Sequence, residues 1–136
     1  MRFITRDTDY ALRALIFMAR ALRQENKKIV TVEDIVAEEN LPRVFLRRIL
    51  QKLAEKRILS SYKGKSGGFS FAVAPKKISL SDVIVVYQGE IDLTNCFLQG
   101  KICPNRAKCK VRKKMKAINE NVIKELAWIN IEELSE

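Results

Sequence analysis

The strongest constraint on this chain is an ordered pair of short amphipathic helices followed by a glycine-rich turn. Thr31 is placed to cap a helix start, with Glu33 and Asp34 in the first turn and Val32, Ile35 and Val36 turned inward. That helix should end near Asn40, and Glu39, Asn40 and Leu41 form a tight turn. Pro42 suits the first position of the next helix, which runs to about Lys56 with Phe45, Leu46, Ile49, Leu50 and Leu53 as its buried stripe. Residues 58–63 are strand-like, Gly64, Gly67 and Gly68 mark a turn, and residues 69–73 alternate as a returning strand closed by Pro75. Two helices about a tight turn and then a hairpin is the order of a winged helix-turn-helix DNA-binding domain.

The flanking segments are also helical. Residues 8–24 carry Leu12, Leu15, Ile16, Ala19 and Leu22 on one helical face, with Thr5 or Thr8 as cap and Asp7 and Asp9 favoured by the dipole of the first turn. Ser79 caps a short helix over residues 80–87, and Gly89 stops it. Residues 90–108 are irregular. Residues 110–134 form a last helix whose apolar positions, Val111, Met115, Ile118, Val122, Leu126 and Ile129, follow a 4-3 spacing. Such a seam packs against a second subunit, or else lies on the chain's own core. Only 5 glycines and 3 prolines interrupt the 136 residues. The expected fold is mainly α with a small β-hairpin. Residues 1–77 make the winged helix-turn-helix domain, and residues 78–136 make a cysteine-loop region and a long C-terminal dimerisation helix.

Charge assigns a partner to the first part. Residues 1–77 hold 17 of the 26 basic and 8 of the 16 acidic residues, so nearly all of the net charge of +10 lies there. Excess positive charge of this kind attracts a polyanion, and the element order selects double-stranded DNA over a membrane surface. Arg43 and Arg47 share one side of the third helix, and Arg48 and Lys52 share the side one position round. The N-terminal part of such a helix meets base edges in the major groove, where arginine pairs with guanine and lysines suit phosphates. Lys63 and Lys65 flank the hairpin glycines, and Gly67 and Gly68 let backbone approach the sugar–phosphate chain. The bland alternative is a solvated basic helix beside a hairpin.

Several function classes drop out. The chain has no histidine, no phosphate-binding loop and no nucleophile–base pair, so neither an enzyme nor a small-molecule substrate is expected. No run nears the roughly 20 apolar residues of a membrane span. The most apolar early stretch, residues 14–19, is short and lies between Arg13 and Arg20, so no secretion signal is expected. These readings place the chain in a reducing cytoplasm, where an odd set of cysteines reads as metal-binding or redox-active.

Cys96, Cys103 and Cys109 fall within one short segment. Thiolates are soft ligands for iron–sulfur clusters, zinc or copper(I). The close cysteine pairs usual in structural zinc sites are absent, so wider-spaced loop cysteines fit a cluster better. Residues 101–116 contain eight basic residues and no acid, which offsets the negative charge of a cluster. Three inert, buried thiols are the alternative. Three cysteines leave one coordination position open, and without histidine a carboxylate is the natural candidate. Asp9 is one option, and its other reading is a dipole-favoured residue paired with Arg13 at i,i+4.

The chain resembles the Rrf-two family of winged-helix bacterial regulators over nearly its whole length. The carrying residues are Thr8-Asp9-Tyr10-Ala11-Leu12-Arg13, then Pro42, Leu46, Ile49, Leu50 and Leu53, then Gly64, Gly67, Gly68 and Phe69, and the three-cysteine loop. The resemblance implies a homodimer with long C-terminal helices. It implies a 2Fe–2S or 4Fe–4S cluster on the residues matching Cys96, Cys103 and Cys109, and operator binding that changes with cluster state. IscR-like members take a histidine three residues after the last cysteine, where this chain has Arg112. NsrR-like members take an aspartate from the first helix of the other subunit, which points to Asp9. A cluster-free regulator acting through thiol chemistry or a protein partner is the alternative.

Overall fold

A computed structural model describes residues 2–94 and 103–136. Its elements, in order, are α1 (Arg6–Glu25), α2 (Val32–Glu39), α3 (Arg43–Glu55), β1 (Leu59–Tyr62), β2 (Gly68–Phe71), α4 (Leu80–Gln88), α5 (Lys110–Trp128) and α6 (Ile131–Leu134), with one tighter turn at Pro75–Lys77. This is the mostly helical fold with a two-stranded hairpin and a long late helix that the sequence predicts.

Local chemistry sets the helix ends. Thr5 caps α1, and Asp7 and Asp9 occupy the first turn. Asn26 then ends the helix in the left-handed conformation, at φ 51°, a role asparagine accepts more readily than bulkier residues. Thr31 and Asp34 form a reciprocal capping box on α2, as Ser79 and Asp82 do on α4. Burial alone would raise the Asp34 carboxyl, but hydrogen bonds from Thr31 and the ammonium of Lys27 bring it below the usual aspartate range. Pro42 stands one position earlier than expected. Its ψ of 118° is extended, and its carbonyl accepts the first helical bond from the Leu46 amide at 3.0 Å.

The core lies between α1 and α3. Leu46, Ile49, Leu50 and Leu53 are buried, and so are Ala11, Ala14, Leu15 and Met18 facing them across the helix pair. Small alanines let the two backbones approach closely, and each buried large side chain contributes about 1.5–3 kcal/mol. Ile35, Leu41, Val83 and Ile131 from other elements join the same cluster. Phe45, expected inside, is half-buried, with the guanidinium groups of Arg6 and Arg48 4.6 and 5.2 Å from its ring centre.

The hairpin is antiparallel, with Leu59 opposite Phe71 and Tyr62 opposite Gly68. It is tied to the domain by a bridge the sequence did not announce. Val30 and Phe69 exchange two backbone hydrogen bonds of 2.8 Å. Gly68 makes this approach feasible. At φ +151°, a Cβ there would lie 2.7 Å from the Val30 carbonyl oxygen.

One end of the fold departs from expectation, and the other holds contacts that pattern does not announce. The last helix is interrupted at Ile129 and Asn130, where the Leu80 amide donates to Ile129 and the Ile131 amide donates to Ile78. Asn130 then caps α6, Ile131 enters the core, and Arg23 of α1 donates to the Ser135 carbonyl at 2.6 Å. At the other end, Gln88 closes α4 against the start of α1. Its Oε1 accepts from the Thr5 amide at 3.0 Å and the Thr8 hydroxyl at 2.7 Å, and its Nε2 donates to the Phe3 carbonyl at 2.9 Å.

The left-handed Arg57, at φ 60°, closes α3. The Ile58 amide reaches back to Leu53 and the Arg57 amide to Ala54, the double bond pattern usually completed by glycine. Arg57→Gly should therefore raise unfolding stability by about 0.5–1 kcal/mol. Gly68→Ala should lower it by about 1–3 kcal/mol, because backbone rather than a flexible side chain stands in the way. Paired urea denaturation curves check both signs.

Candidate nucleic-acid interface and cysteine region

The buried stripe of α3 dictates which of its residues face out. Successive residues turn by about 100°, so Arg43, Arg47 and Gln51 share one flank. That flank forms one wall of a groove. The hairpin forms the other, with Tyr62, Lys63, Gly64, Lys65, Gly67 and Gly68, and Thr31 and Glu33 close one end. Six residues predicted from sequence thus share one groove: Arg43, Arg47, Lys63, Lys65, Gly67 and Gly68. Gln51, Ser61 and Tyr62 join them without having been predicted. Gln51 was readable, since it follows Arg47 by one turn.

Arg48 and Lys52 do not line this groove. Arg48 turns toward α1, 3.8 Å from Asp7 and over the Phe45 ring. The Lys52 ammonium lies 5.1 Å from the Tyr87 ring centre. Tyr87 donates its hydroxyl to the Ile49 carbonyl at 2.7 Å, and burial followed by the charge of Asp7 pushes that hydroxyl well above the usual tyrosine range. On the groove side, Arg43 pairs with Glu33. Both arginine pairs are largely solvent-exposed and worth at most about 1 kcal/mol, so they orient the guanidinium groups without locking them.

Gly67 and Gly68 answer a demand internal to the hairpin. A Cβ on Gly67 would lie 2.5 Å from the Tyr62 carbonyl oxygen, and one on Gly68 would strike Val30. Their backbone also lines the groove, so the approach foreseen from sequence is open from outside.

In the second region, Cys103 and Cys109 are both half-buried, and Cys96 lies outside the described residues. Cys109 sits at the N-cap of α5, where its sulfur accepts from the Arg112 amide at 3.4 Å. Arg106, Arg112, Lys113 and Lys116 surround it in a shallow basin that also holds Asp92. Thr94 donates hydroxyl and amide hydrogens to Asp92 and holds that carboxyl below the usual range. Asn119 of α5 fastens the chain leaving α4, accepting from the Leu93 amide and donating to the Ile91 carbonyl.

Asp9 is half-exposed on α1, 3.3 Å from Arg13, in the ion pair that was its alternative reading. Among the described residues, no three histidine, cysteine, aspartate or glutamate side chains converge on a possible metal position. The donors nevertheless suit a cluster in kind, since the thiols are soft and the positive groups around Cys109 balance a negative guest. No helix among the described residues is long and apolar enough to cross a membrane.

Comparison with known proteins fits this geometry. The Rrf2 family, described as iron-dependent transcriptional regulators, matches residues 4–136. An rrf2-like HTH-type transcriptional regulator of Rhodobacter capsulatus is 31% identical over 115 residues, covering 81% of this chain and 77% of that protein. The HTH-type transcriptional regulator NsrR of Bacillus licheniformis is 28% identical over 94 residues, covering 69% of this chain and 64% of that one. In fold the chain is similar to CymR, named the global cysteine regulator of B. subtilis, with a TM-score of 0.78 at 23% identity over 99% of this chain and 97% of that one. The chain therefore belongs to the Rrf2 family and is a DNA-binding transcriptional regulator rather than an enzyme.

Proposed function

We propose that this regulator is a cytoplasmic homodimer that grips a double-stranded operator with the α3–hairpin groove, under the control of an iron–sulfur cluster. One observation carries the DNA half: Arg43 and Arg47 of α3 and Lys63 and Lys65 of the hairpin line one groove. Arg47 meets base edges, the two lysines meet phosphates, and Arg48 and Lys52 contact the backbone on the far side of α3. Residues 1–77 make the DNA-binding part, and residues 78–136 hold the cysteine region and the dimerisation helix. The α5 surface supports a second subunit. Val111 is 71% exposed and Trp128 is 80% exposed, and no α5 residue is buried.

Cys96, Cys103 and Cys109 would hold the cluster, with the partner subunit's Asp9 as fourth ligand. When bound, a cluster supplies a centre sensitive to redox state, nitric oxide or iron supply. The chain's own contribution is the Cys109 cap on α5, the basic side chains around it, and an Asp9 that must leave Arg13 to serve as ligand. A second reading rests on the likeness to CymR, a cysteine regulator in B. subtilis. In it the thiols act without a cluster, by their own chemistry or through a protein partner.

Two measurements test these readings. Arg47→Ala should weaken operator binding about tenfold or more in fluorescence anisotropy, and Lys63→Ala should weaken all duplexes alike and flatten the salt dependence. Protein purified without oxygen should carry iron and absorb visible light, and Asp9→Ala should alter that spectrum. A colourless protein after reconstitution, binding its operator only with dithiols present, would instead establish the thiol reading.

A further inference from the structure

Val44 is the second residue of α3, and at 82% exposure it is the most exposed large apolar residue among those described. Neither the core nor the helix calls for it. It touches no buried cluster, and a β-branched residue is a poorer helix former than the alanine or lysine usual at a solvated position. It is the only exposed large apolar side chain on α3. The others on helices lie mostly on α5, where a second subunit accounts for them.

Its neighbours give the position meaning. On a helical surface, Val44 is adjacent to Arg47 at i,i+3 and Arg48 at i,i+4. Arg43 is drawn to one side by Glu33 and Arg48 to the other by Asp7. The valine therefore projects between guanidinium groups at the N-terminal turn of α3, the part of such a helix that enters deepest into the major groove. The apolar feature of base edges in that groove is the C5-methyl group of thymine. On the DNA-binding reading above, we propose that Val44 is a specificity-determining residue that packs on a thymine methyl group of the operator, beside the base contacted by Arg47.

The full-length protein is used to select its operator from a random duplex library. Each thymine of the selected site is then replaced singly by deoxyuridine, which removes only the methyl group. In the native protein, one substitution per half-site should weaken binding about three- to fivefold, the worth of one buried methyl group. In Val44→Ala, thymine and uracil duplexes at that position should bind within about 1.5-fold of each other, whereas Arg47→Ala should keep the native ratio. Val44→Ala should also melt no lower than the native protein, since the side chain is exposed. If no uracil substitution weakens the native protein, or if Val44→Ala keeps the native thymine-to-uracil ratio, the inference is overturned. A protein that selects no duplex and shows no salt-dependent binding would overturn the DNA-binding reading itself.

Discussion

Burial of the Leu46, Ile49, Leu50 and Leu53 stripe under the alanine-rich face of α1 is the constraint from which the rest of the molecule follows. A helix with one committed apolar side has no freedom in where its other residues point. Once the stripe is inside, Arg43, Val44, Arg47 and Gln51 must face away from α1, and Phe45 and Arg48 must lie at its edge. Ala11 and Ala14 matter because larger residues would hold α3 further off and shift the groove relative to the hairpin. The stripe and the basic flank are therefore one property of a single helix.

The hairpin depends on the same core at one remove. Leu59 and Phe69 are buried, and the Val30–Phe69 bridge fixes the hairpin to the strand-like residue just before α2. A two-stranded hairpin alone is marginal in water, and a third backbone partner supplies what it lacks. The distance between the Arg47 and Lys63 walls is thus set by buried packing on one side and a pair of backbone bonds on the other.

Much of this was legible in the residues themselves. The capping signals at Thr31 and Ser79, the stripe of α3 and the glycine turn all act over a few positions, so pattern alone located them. What escaped lies outside local pattern. Nothing near Val30 marks it as a partner for Phe69, and Arg57 carries no sign of the left-handed turn that glycine usually takes. The apolar spacing of the last helix runs through Ile129 unbroken, yet bonding to Ile78 and Leu80 stops the helix there. The division of the four helix residues also needed three dimensions. Periodicity separated Arg43 and Arg47 from Arg48 and Lys52, but only the positions of Asp7 and Tyr87 turn the second pair away from the groove. In the cysteine region, sequence singled out Cys109 without indicating that it would cap α5. The role proposed for Asp9 lies between subunits, beyond the reach of any one chain's pattern.

Gln88 stands immediately before the glycine that ends α4, where the chain departs toward the cysteines. Its side-chain amide engages three groups at the beginning of α1, and the same first turn carries the Asp7 that draws on Arg48. Three hydrogen bonds and one weak ion pair thus form a short mechanical train from the exit of α4 to the flank of α3. Its links differ in stiffness. The amide grips on two sides and resists sliding, whereas the exposed Asp7–Arg48 contact yields to any competing anion. The exit of α4 is therefore tied to α1 at three points, while α1 holds Arg48 only through one exposed contact, the least constrained join between the cysteine side of the molecule and the flank of α3.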